Sequence, residues 1–432
     1  MQQSGTYRWY VVSTLMVGYF FAFLDRAMIG LMVAPIQADL GVNDTQMSLL
    51  MGFAFALLYS LAGLPLGFLA DRVNRVRLIS IGAMVWCSMS AACGLSTTYW
   101  QLFLARVGVG LGEATLAPSA ISLIGDYFKP GEMGRALTVY NLGLAAGAAF
   151  ALILGGQTIV YIASLEALSL PFIGELAPWQ TVFLLFGLAG FIFSIMLLFV
   201  REPARSGRTT SGVAFTLRQT FGYVRERGRL YFGLFFAQAS AAIIGYGILS
   251  WMPTFFMRIH DWSAAEAGLR YGLTSLTGTV AGLVVSGWLV DRWTKQGRQD
   301  AAWRVLTLGF GVFLPALCLA PLVGSAWLTL GLMLIGIFGV VLASIAATSA
   351  MLAASPNEAR GSLTALQNLI LNLFGAAIGP TAIAVMNDYV FEDPQAIGLS
   401  VAIVALISAV GANAFAFYGG PAFRARMREV QA

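Results

Sequence analysis

The chain has 432 residues, of which 58% are hydrophobic and 10% are charged, and its mean hydropathy is +0.79. Soluble globular proteins carry about 25% charged residues, so this composition excludes an ordinary soluble domain and indicates an integral membrane protein. The net charge of +5 and the pI of about 9.2 could suggest an acidic partner. The basic residues nevertheless follow the loops of one membrane face, so we expect no nucleic-acid partner.

Apolar runs of about 18 residues or more are long enough to cross a bilayer, and about twelve occur here. Their approximate limits are 9–35, 46–70, 78–95, 100–127, 134–162, 179–200, 230–257, 264–290, 302–323, 327–353, 361–387 and 396–418. We therefore predict an all-α integral membrane protein with twelve transmembrane helices. Cys87, Cys93 and Cys318 fall inside these spans without paired spacing, so we expect neither a metal site nor a disulfide framework. We also expect no cofactor.

The charges divide unevenly between the two sides of the predicted bundle. Of the 25 Lys and Arg residues, 21 lie in one set of loops and termini, whereas the opposite loops carry acids such as Asp39 and Asp388. The positive-inside rule then places both termini in the cytoplasm. The first apolar run is too long for a cleavable signal peptide. Compact loops and few cysteines favour the inner membrane of a bacterium.

The longest polar interval, residues 201–229, separates six spans from six. Its later part, roughly 213–227, is basic and amphipathic, which predicts a helix lying at the membrane surface. We therefore divide the chain into an N-terminal six-helix bundle (1–200), a cytoplasmic linker with an amphipathic helix (201–229) and a C-terminal six-helix bundle (230–432).

The two halves repeat short motifs in the same order. Gly67-x-x-x-Asp71-Arg72 ends span two, and Gly287-x-x-x-Asp291-Arg292 ends span eight, 220 residues later. Arg135-Ala-Leu-Thr opens span five, and Gly361-Ser-Leu-Thr opens span eleven, 226 residues later. The matching offsets predict two pseudo-symmetric bundles with a site between them.

Three ionisable residues lie deep inside predicted spans, where a charge is expensive and usually functional. Arg26 is about 25 Å from the cytoplasmic end of span one, and Glu113 is about 21 Å from the outer end of the oppositely directed span four. Their depths match, which predicts an Arg26–Glu113 ion pair. Asp25 is turned by about 100° from Arg26 and is an alternative partner for it. A carboxylate that exchanges its arginine for a proton would couple transport to protons; a static brace between two helices is the alternative.

Arg106 precedes Glu113 by seven residues, so the two side chains leave span four on similar sides. It would keep the surroundings of Glu113 positive or meet an anionic head group near the outer side. Snorkelling to the outer interface is an equally good interpretation.

The sequence Gly67-x-x-x-Asp71-Arg72-x-x-Arg75-x-Arg77 resembles the loop 2–3 motif of the major facilitator superfamily, with Asn74 in place of the usual glycine. Arg106-Val-Gly-Val-Gly resembles its fourth-helix motif. Leu24-Asp25-Arg26 and Gly112-Glu113-Ala114 are in turn similar to the spinster family of sphingolipid and lysophospholipid transporters. The resemblance to the superfamily covers the whole chain, whereas that to the spinster family is more specific and rests on fewer residues. Together they imply the major facilitator fold, alternating access and a lipid-like substrate.

A set of predicted cytoplasmic-rim residues follows from these motifs: Gly67, Asp71, Arg72, Arg75, Asp126, Arg135, Asp291 and Arg292. Gly67 allows a close helix approach, and Asp71 can cap the positive end of a neighbouring helix. The resemblance implies that this neighbour is span eleven and that the contact closes a cytoplasmic gate. Asp291 and Arg292 would act similarly in the other half. For several of the arginines, a role in setting the topology is the alternative.

Polar and aromatic residues within the spans are weaker candidates for lining a cavity: Tyr19, Tyr140, Asn141, Gln238, Tyr246, Thr348, Asn368 and Asn372. For each of them an interhelical hydrogen bond is the alternative. Gly375-x-x-x-Gly379-Pro380 predicts close packing or bending in span eleven. His260, the only histidine, lies in an outer loop, which argues against a histidine proton relay.

The residues favour a proton-coupled secondary transporter, and the resemblance implies an amphipathic, lipid-like substrate. We expect a monomer, with protons, the substrate and membrane lipids as its partners. The main alternative is a proton-coupled carrier of drugs or small organic anions, although Ala148 replaces the proline of the antiporter signature. A membrane-embedded lipid enzyme is remote, because no convergent nucleophile and base are evident. A primary pump is disfavoured because the phosphate-binding loop motif is missing.

Overall fold

The computed structural model describes residues 5–70, 72–128, 130–165, 168–170, 174–203 and 217–431. Their helices are α1 (Gly5–Met28), α2 (Val33–Leu40), α3 (Asp44–Ser48), α4 (Ala54–Ala70), α5 (Arg75–Cys93), α6 (Tyr99–Glu113), α7 (Leu116–Tyr127), α8 (Pro130–Ala163), α9 (Pro178–Leu197), α10 (Leu217–Glu226), α11 (Gly228–Ile259), α12 (Ala264–Lys295), α13 (Ala301–Leu319), α14 (Ala326–Ala354), α15 (Asn357–Ile370), α16 (Gly379–Val385) and α17 (Ile397–Gln431). Strands β1 (Leu168–Leu170) and β2 (Gly174–Leu176) pair antiparallel between α8 and α9.

Within the described residues, twelve helical segments are long and apolar enough to cross a membrane. In chain order, spans one to twelve are Gly5–Leu31, Asp44–Gly63, Arg75–Cys93, Tyr99–Tyr127, Arg135–Ala163, Pro178–Leu197, Gly228–Ile259, Ala264–Lys295, Ala301–Leu322, Ala326–Ala354, Glu358–Phe391 and Pro394–Glu429. The predicted twelve-span, all-α architecture is confirmed. The predicted amphipathic helix corresponds to α10, and residues 204–216 before it lie outside the described part of the chain.

Two prolines explain why spans one and four are not continuous helices. Proline lacks an N–H group, and its ring clashes with the carbonyl four residues earlier. That carbonyl belongs to Leu31 for Pro35 and to Ala114 for Pro118. Accordingly α1 gives way to a short 3₁₀ segment before α2, and α6 ends at Glu113 before α7 begins. The breaks fall close to Arg26 and Glu113, the charged residues of the two spans.

The chain forms two compact units: residues 1–208 with 249–273, and residues 209–248 with 274–432. In the first unit α1 packs along α8, α5 packs on α6 and α9, and α4 packs on α6. In the second unit α13 packs on α14 and α17. The stacked rings of Trp86 and Phe193, 5.6 Å between centroids, lie in the core of the first unit.

Glycines let the helices around Glu113 approach at backbone distance. A Cβ added at Gly110 would lie 2.3 Å from the Phe55 carbonyl oxygen of span two. One added at Gly82 of span three would lie 2.0 Å from Thr115 Oγ1 and 2.7 Å from the Gly112 carbonyl oxygen. Small residues of this kind are what close packing in lipid requires. Span four is thereby fixed against spans two and three on either side of Glu113.

The same device joins spans one and five. A Cβ at Gly143 would lie 2.3 Å from the Met16 carbonyl oxygen, and one at Gly147 would lie 2.3 Å from that of Phe20. These two glycines, one helical turn apart on α8, therefore hold α1 in a defined position. That position sets the depth of Asp25 and Arg26.

We predict that Gly82→Ala lowers the stability of the protein by about 1–3 kcal/mol, because the added methyl group must displace α5 from α6. The measurement is thermal unfolding of the purified protein in detergent. Gly331→Ala in α14 is the matched control, since a Cβ there meets no atom within 4 Å. The control should be neutral or slightly stabilising, as alanine favours a helix over glycine. Equal unfolding temperatures for Gly82→Ala and wild type would contradict the close approach.

Candidate functional site

Arg26 and Glu113 form a buried ion pair between spans one and four. The Nε and Nη2 atoms of Arg26 donate to Glu113 Oε2 at 2.9 and 2.5 Å. Only 8% of the Arg26 side chain and 1% of the Glu113 side chain are exposed. The pairing predicted from matched depths is confirmed. What it contributes to transport remains a prediction.

Aromatic rings surround the Arg26 guanidinium on several sides. Its central carbon lies 4.1 Å from the ring centroid of Phe55 and 4.7 Å from those of Phe23 and Tyr59. Cation–π attraction of this kind strengthens when the cation is desolvated. The arginine is thus held by one carboxylate oxygen and by the faces of apolar residues.

Polar atoms of this region without a hydrogen-bond partner among the described residues include Glu113 Oε1, the Tyr140 hydroxyl and Arg106 Nη2. The Tyr140 ring stacks on Tyr19 at 4.6 Å between centroids, with only 2° between the planes. Leaving a buried polar atom unpaired costs about 1–3 kcal/mol, more for a charged group. An unpaired carboxylate oxygen has the capacity to accept one further hydrogen-bond donor or a proton.

Asp25 forms a separate pair on the other side of span one. It accepts from Arg106 of span four and from the Ser90 hydroxyl of span three, the latter at 2.5 Å. Arg106 is fully buried and Asp25 is 5% exposed. The expectation that Asp25 is an alternative partner of Arg26 is therefore wrong.

The interpretation of Arg106 as a snorkelling residue is also wrong, because its side chain is fully buried, whereas a contact with an anionic head group stays a prediction. The Arg106 guanidinium points into the bundle, where Asp25 neutralises it and where Nε also lies 3.4 Å from the Leu50 carbonyl oxygen. Asp25 offers a carboxylate at close range, and buried pairing repays desolvation only with such additional bonds.

The predicted cytoplasmic rim contains a second network, centred on Arg75. Its guanidinium binds Asp126 at 2.5 Å, the Ser122 hydroxyl at 2.7 Å and Glu202 at 2.7 Å. Glu202 also accepts from the backbone N–H of Val76 at 3.1 Å. Arg75 and Asp126 are thus brought together as expected, whereas Glu202 was missed.

The remaining rim residues are less connected. Asp71 lies outside the described residues. A Cβ at Gly67 would be 3.9 Å from Pro118, so α4 and α7 approach there. Exposed positions are occupied by Arg72, Arg135, Asp291 and Arg292, and the Arg292 guanidinium stacks over Trp288 at 5.1 Å. Asn74, where the motif usually has glycine, caps α5 by accepting from the Arg77 N–H at 2.8 Å.

Most of the other polar candidates make helix-to-helix or within-helix hydrogen bonds. Gln238 is 3% exposed, bonds Gln367 and donates to the Ser344 carbonyl at 3.1 Å. The Tyr246 hydroxyl reaches Asn372 at 3.5 Å. The side chains of Asn141, Thr348 and Asn372 each donate a hydrogen bond to the backbone carbonyl four residues earlier. The side chain of Asn368 is exposed. A Cβ at Gly379 would lie 2.3 Å from the Ile243 carbonyl oxygen, which confirms the predicted close packing in span eleven.

One charged cluster was missed by sequence reasoning. Arg258, at the end of α11, binds both carboxylate oxygens of Asp44 at 2.7 Å and Gln37 at 3.0 Å. Asp44 is 2% exposed and also accepts from Gln37 at 2.9 Å. The one sequence signal for this cluster was the predicted position of Arg258 on the outer face. The spacing of residues in the sequence did not identify Asp44 as its partner.

His260 follows Arg258 by two residues and packs among aromatic residues, with Phe255 at 5.4 Å and Phe256 at 5.9 Å between centroids. Partial burial disfavours the charged imidazolium and lowers the pKa of His260 below its usual value. The ring is therefore neutral near pH 7 and acts as part of the aromatic cluster.

We predict that Arg106→Gln destabilises the protein by about 3–5 kcal/mol, because it leaves Asp25 buried without a counter-charge. The double variant Asp25→Asn/Arg106→Gln should recover part of this loss, since no charge remains unpaired. The measurement is a double-mutant cycle. It compares the thermal or denaturant unfolding of wild type, of the two single variants Asp25→Asn and Arg106→Gln, and of the double variant. Additive losses in the double variant would contradict direct pairing.

Comparisons with known proteins agree with this architecture. The model of the Major Facilitator Superfamily matches residues 15–380. The "MFS-type efflux pump" of Mycolicibacterium smegmatis is 27% identical and covers 93% of this chain and 90% of its own length. The "Probable L-galactonate transporter" of Escherichia coli is 23% identical over 94% of this chain and 89% of its own.

Among solved structures, a bacterial homologue of the human lysosomal transporter Spinster, crystallised in an inward-facing and unoccupied conformation, superimposes with a TM-score of 0.78. It is 26% identical and covers 99% of this chain and 98% of its own. The resemblance to spinster that the sequence motifs indicated is thus confirmed in structure. The chain belongs to the major facilitator superfamily and is a multi-pass membrane transporter.

Proposed function

We propose that this transporter moves an anionic, amphipathic substrate of the sphingolipid or lysophospholipid type and couples that movement to protons. One observation carries the proposal: a buried arginine is held by a single oxygen of Glu113, whose other oxygen has no partner among the described residues. A static brace would be expected to use both oxygens in a bidentate pair. This arrangement leaves one oxygen available to a proton.

The proposed coupling step is an exchange of partners at Arg26. When Glu113 binds a proton, its negative charge is lost and the attraction that holds Arg26 weakens. The guanidinium then becomes the counter-charge for a phosphate or carboxylate of the substrate. Loss of the proton restores the carboxylate, which competes with the substrate for Arg26 and promotes its release. Proton and substrate are therefore bound together.

Asp25 and Arg106 supply the fixed frame for this exchange. Because Asp25 is already bonded to Arg106 and Ser90, it is not free to neutralise Arg26 when Glu113 is protonated. The frame also fixes span one to spans three and four. Arg26 thus changes its partner while its backbone stays in place.

The surroundings of Arg26 support an amphipathic substrate. Phe23, Phe55 and Tyr59 lie directly against the guanidinium. Such rings offer an apolar surface beside the positive charge, which suits an anion attached to a hydrocarbon body. The same class is implied by the resemblance to the spinster family in the sequence motifs, and the chain superimposes on a spinster homologue.

A carrier of drugs or small organic anions is the second candidate. The similar efflux pump and the similar L-galactonate transporter favour it, since one arginine also suits a simple carboxylate. This candidate shares the proton exchange at Glu113 and differs only in the substrate body.

We further propose that the Arg75 network, together with Gly67, Asp71, Arg72, Arg135, Asp291 and Arg292, belongs to a gate on the cytoplasmic side. Its support is the three bonds of Arg75, which hold α5 to α7 and to Glu202 at the end of the first bundle. The proposed location is the bacterial inner membrane, with both termini in the cytoplasm and the monomer as the working unit.

Uptake into liposomes separates the two substrate classes. Purified transporter is reconstituted and supplied with sphingosine phosphate, a lysophospholipid or L-galactonate, with and without a pH gradient. We expect gradient-dependent uptake of the first two. Uptake of L-galactonate alone would replace the lipid-like substrate by the second candidate.

We predict that Glu113→Gln abolishes pH-gradient-driven uptake while the protein stays folded, because the amide resembles the protonated acid and cannot release a proton. Glu132→Gln is the matched control, since Glu132 lies exposed and pairs with Arg8 at 2.8 Å. The control should transport at the wild-type rate. Gradient-driven uptake at the wild-type rate by Glu113→Gln would show that this carboxyl is not the coupling group.

A further inference from the structure

An open apolar cavity lies in the second unit, between the surface helix α10 and the helices α11 and α15. Its volume is about 380 Å³, within the range of small-molecule sites. Its apolar lining comprises Phe221, Val224, Phe232, Phe235, Phe236, Leu366 and Ile370. Arg225 and Gly228 complete the wall. The cavity is separate from Arg26 and Glu113, which belong to the first unit.

The wall formed by α10 is fixed rather than loosely apposed. The Thr220 hydroxyl donates to Ser362 on α15 at 2.8 Å, and Thr220 is only 2% exposed. The Tyr223 ring packs on Tyr231 of α11 at 5.6 Å between centroids. Phe221, by contrast, is 59% exposed although it lines the cavity. The apolar wall therefore continues onto the outer surface of the molecule.

The charges at this cavity are positive. Residues 217–229 include four arginines and one acid, Glu226. Arg227 pairs with Glu226 at 3.1 Å, and Arg229 donates to the Tyr418 carbonyl at 2.9 Å. Arg225 is exposed and makes no hydrogen bond or ion pair with any described residue. Arg225, which has no counter-charge among the described residues, therefore lies beside the apolar groove.

We infer that the cavity binds an anionic phospholipid, with an acyl chain against the phenylalanines and the phosphate at Arg225. Basic amphipathic helices at a membrane surface attract anionic lipids, and basic pockets between membrane helices bind their head groups. A free phosphate would leave the apolar wall unused, and a neutral lipid would leave Arg225 unpaired. The site lies at the start of span seven, where α10 meets the membrane-crossing part of the chain.

Native mass spectrometry of the full-length protein in detergent tests this inference, by titration with phosphatidylglycerol and with phosphatidylcholine of the same acyl chains. We expect phosphatidylglycerol to bind about fivefold more tightly than phosphatidylcholine. One arginine near a membrane surface contributes about 1 kcal/mol to the binding of an anionic lipid, which corresponds to that ratio of dissociation constants. Equal binding of the two lipids would overturn the assignment of an anionic head group.

Gly228→Leu tests the cavity itself. A Cβ at Gly228 meets no atom within 4 Å, so the leucine side chain should fill the groove without a clash. The variant should bind one phosphatidylglycerol fewer than wild type. Gly222→Leu on α10 is the matched control, because its Cβ also meets no atom and Gly222 does not line the cavity. Unchanged lipid binding by Gly228→Leu, with an unfolding temperature like that of wild type, would overturn the site.

Arg225→Gln tests the head group. This variant should lower the affinity for phosphatidylglycerol to that for phosphatidylcholine. The affinity for phosphatidylcholine should not change. Arg218→Gln, two turns away on the same helix and outside the cavity lining, should keep the preference. An undiminished preference in Arg225→Gln would show that the phosphate binds elsewhere. Leu366→Phe, a second cavity-filling change, replaces Gly228→Leu if that variant fails to fold.

Discussion

The cost of burying charge in a low-dielectric interior is the constraint on which the first bundle depends. Four ionisable side chains lie between spans one and four, and each is bonded to an opposite charge. Asp25 and Arg26 are consecutive, so their side chains leave the helix about 100° apart. Each finds its partner on α6, where Arg106 and Glu113 are seven residues apart. Two crossed pairs of this kind fix both the rotation and the depth of span one, because any slip would leave charges unpaired.

The two pairs are not equivalent. Asp25 is saturated by Arg106 and Ser90, in a place with almost no exposure. Glu113 uses one oxygen only, and Arg26 is wrapped by aromatic faces that a competing anion could approach. In the proposed mechanism, the Asp25–Arg106 pair serves as the scaffold and the Arg26–Glu113 pair is the contact that is exchanged. The glycine contacts at Gly82 and Gly110 would then hold the backbone around Glu113 in place while its charge changes.

Hydropathy predicted the twelve spans because span length and apolar composition follow directly from bilayer thickness. The pair Arg26–Glu113 could be predicted since depth along a helix is a matter of counting residues. The partner of Arg106 could not, because depth does not say which helix face meets which neighbour. Glu202 and Asp44 were not predicted as ion-pair partners for a related reason. Each lies near the end of a helical segment, where the direction of the chain beyond the helix decides which residue is contacted. The lipid-like substrate came from resemblance, and no residue spacing determines it.

The central claim is that Arg26 changes its partner from Glu113 to the substrate as Glu113 takes up a proton. Infrared difference spectroscopy of the carboxyl stretch, recorded on adding substrate at constant pH, measures this directly. The account predicts a new protonated-carboxyl band in wild type that is missing in Glu113→Gln and retained in Glu132→Gln. Substrate binding without any such band in wild type would contradict the exchange and leave the Arg26–Glu113 pair as a structural brace.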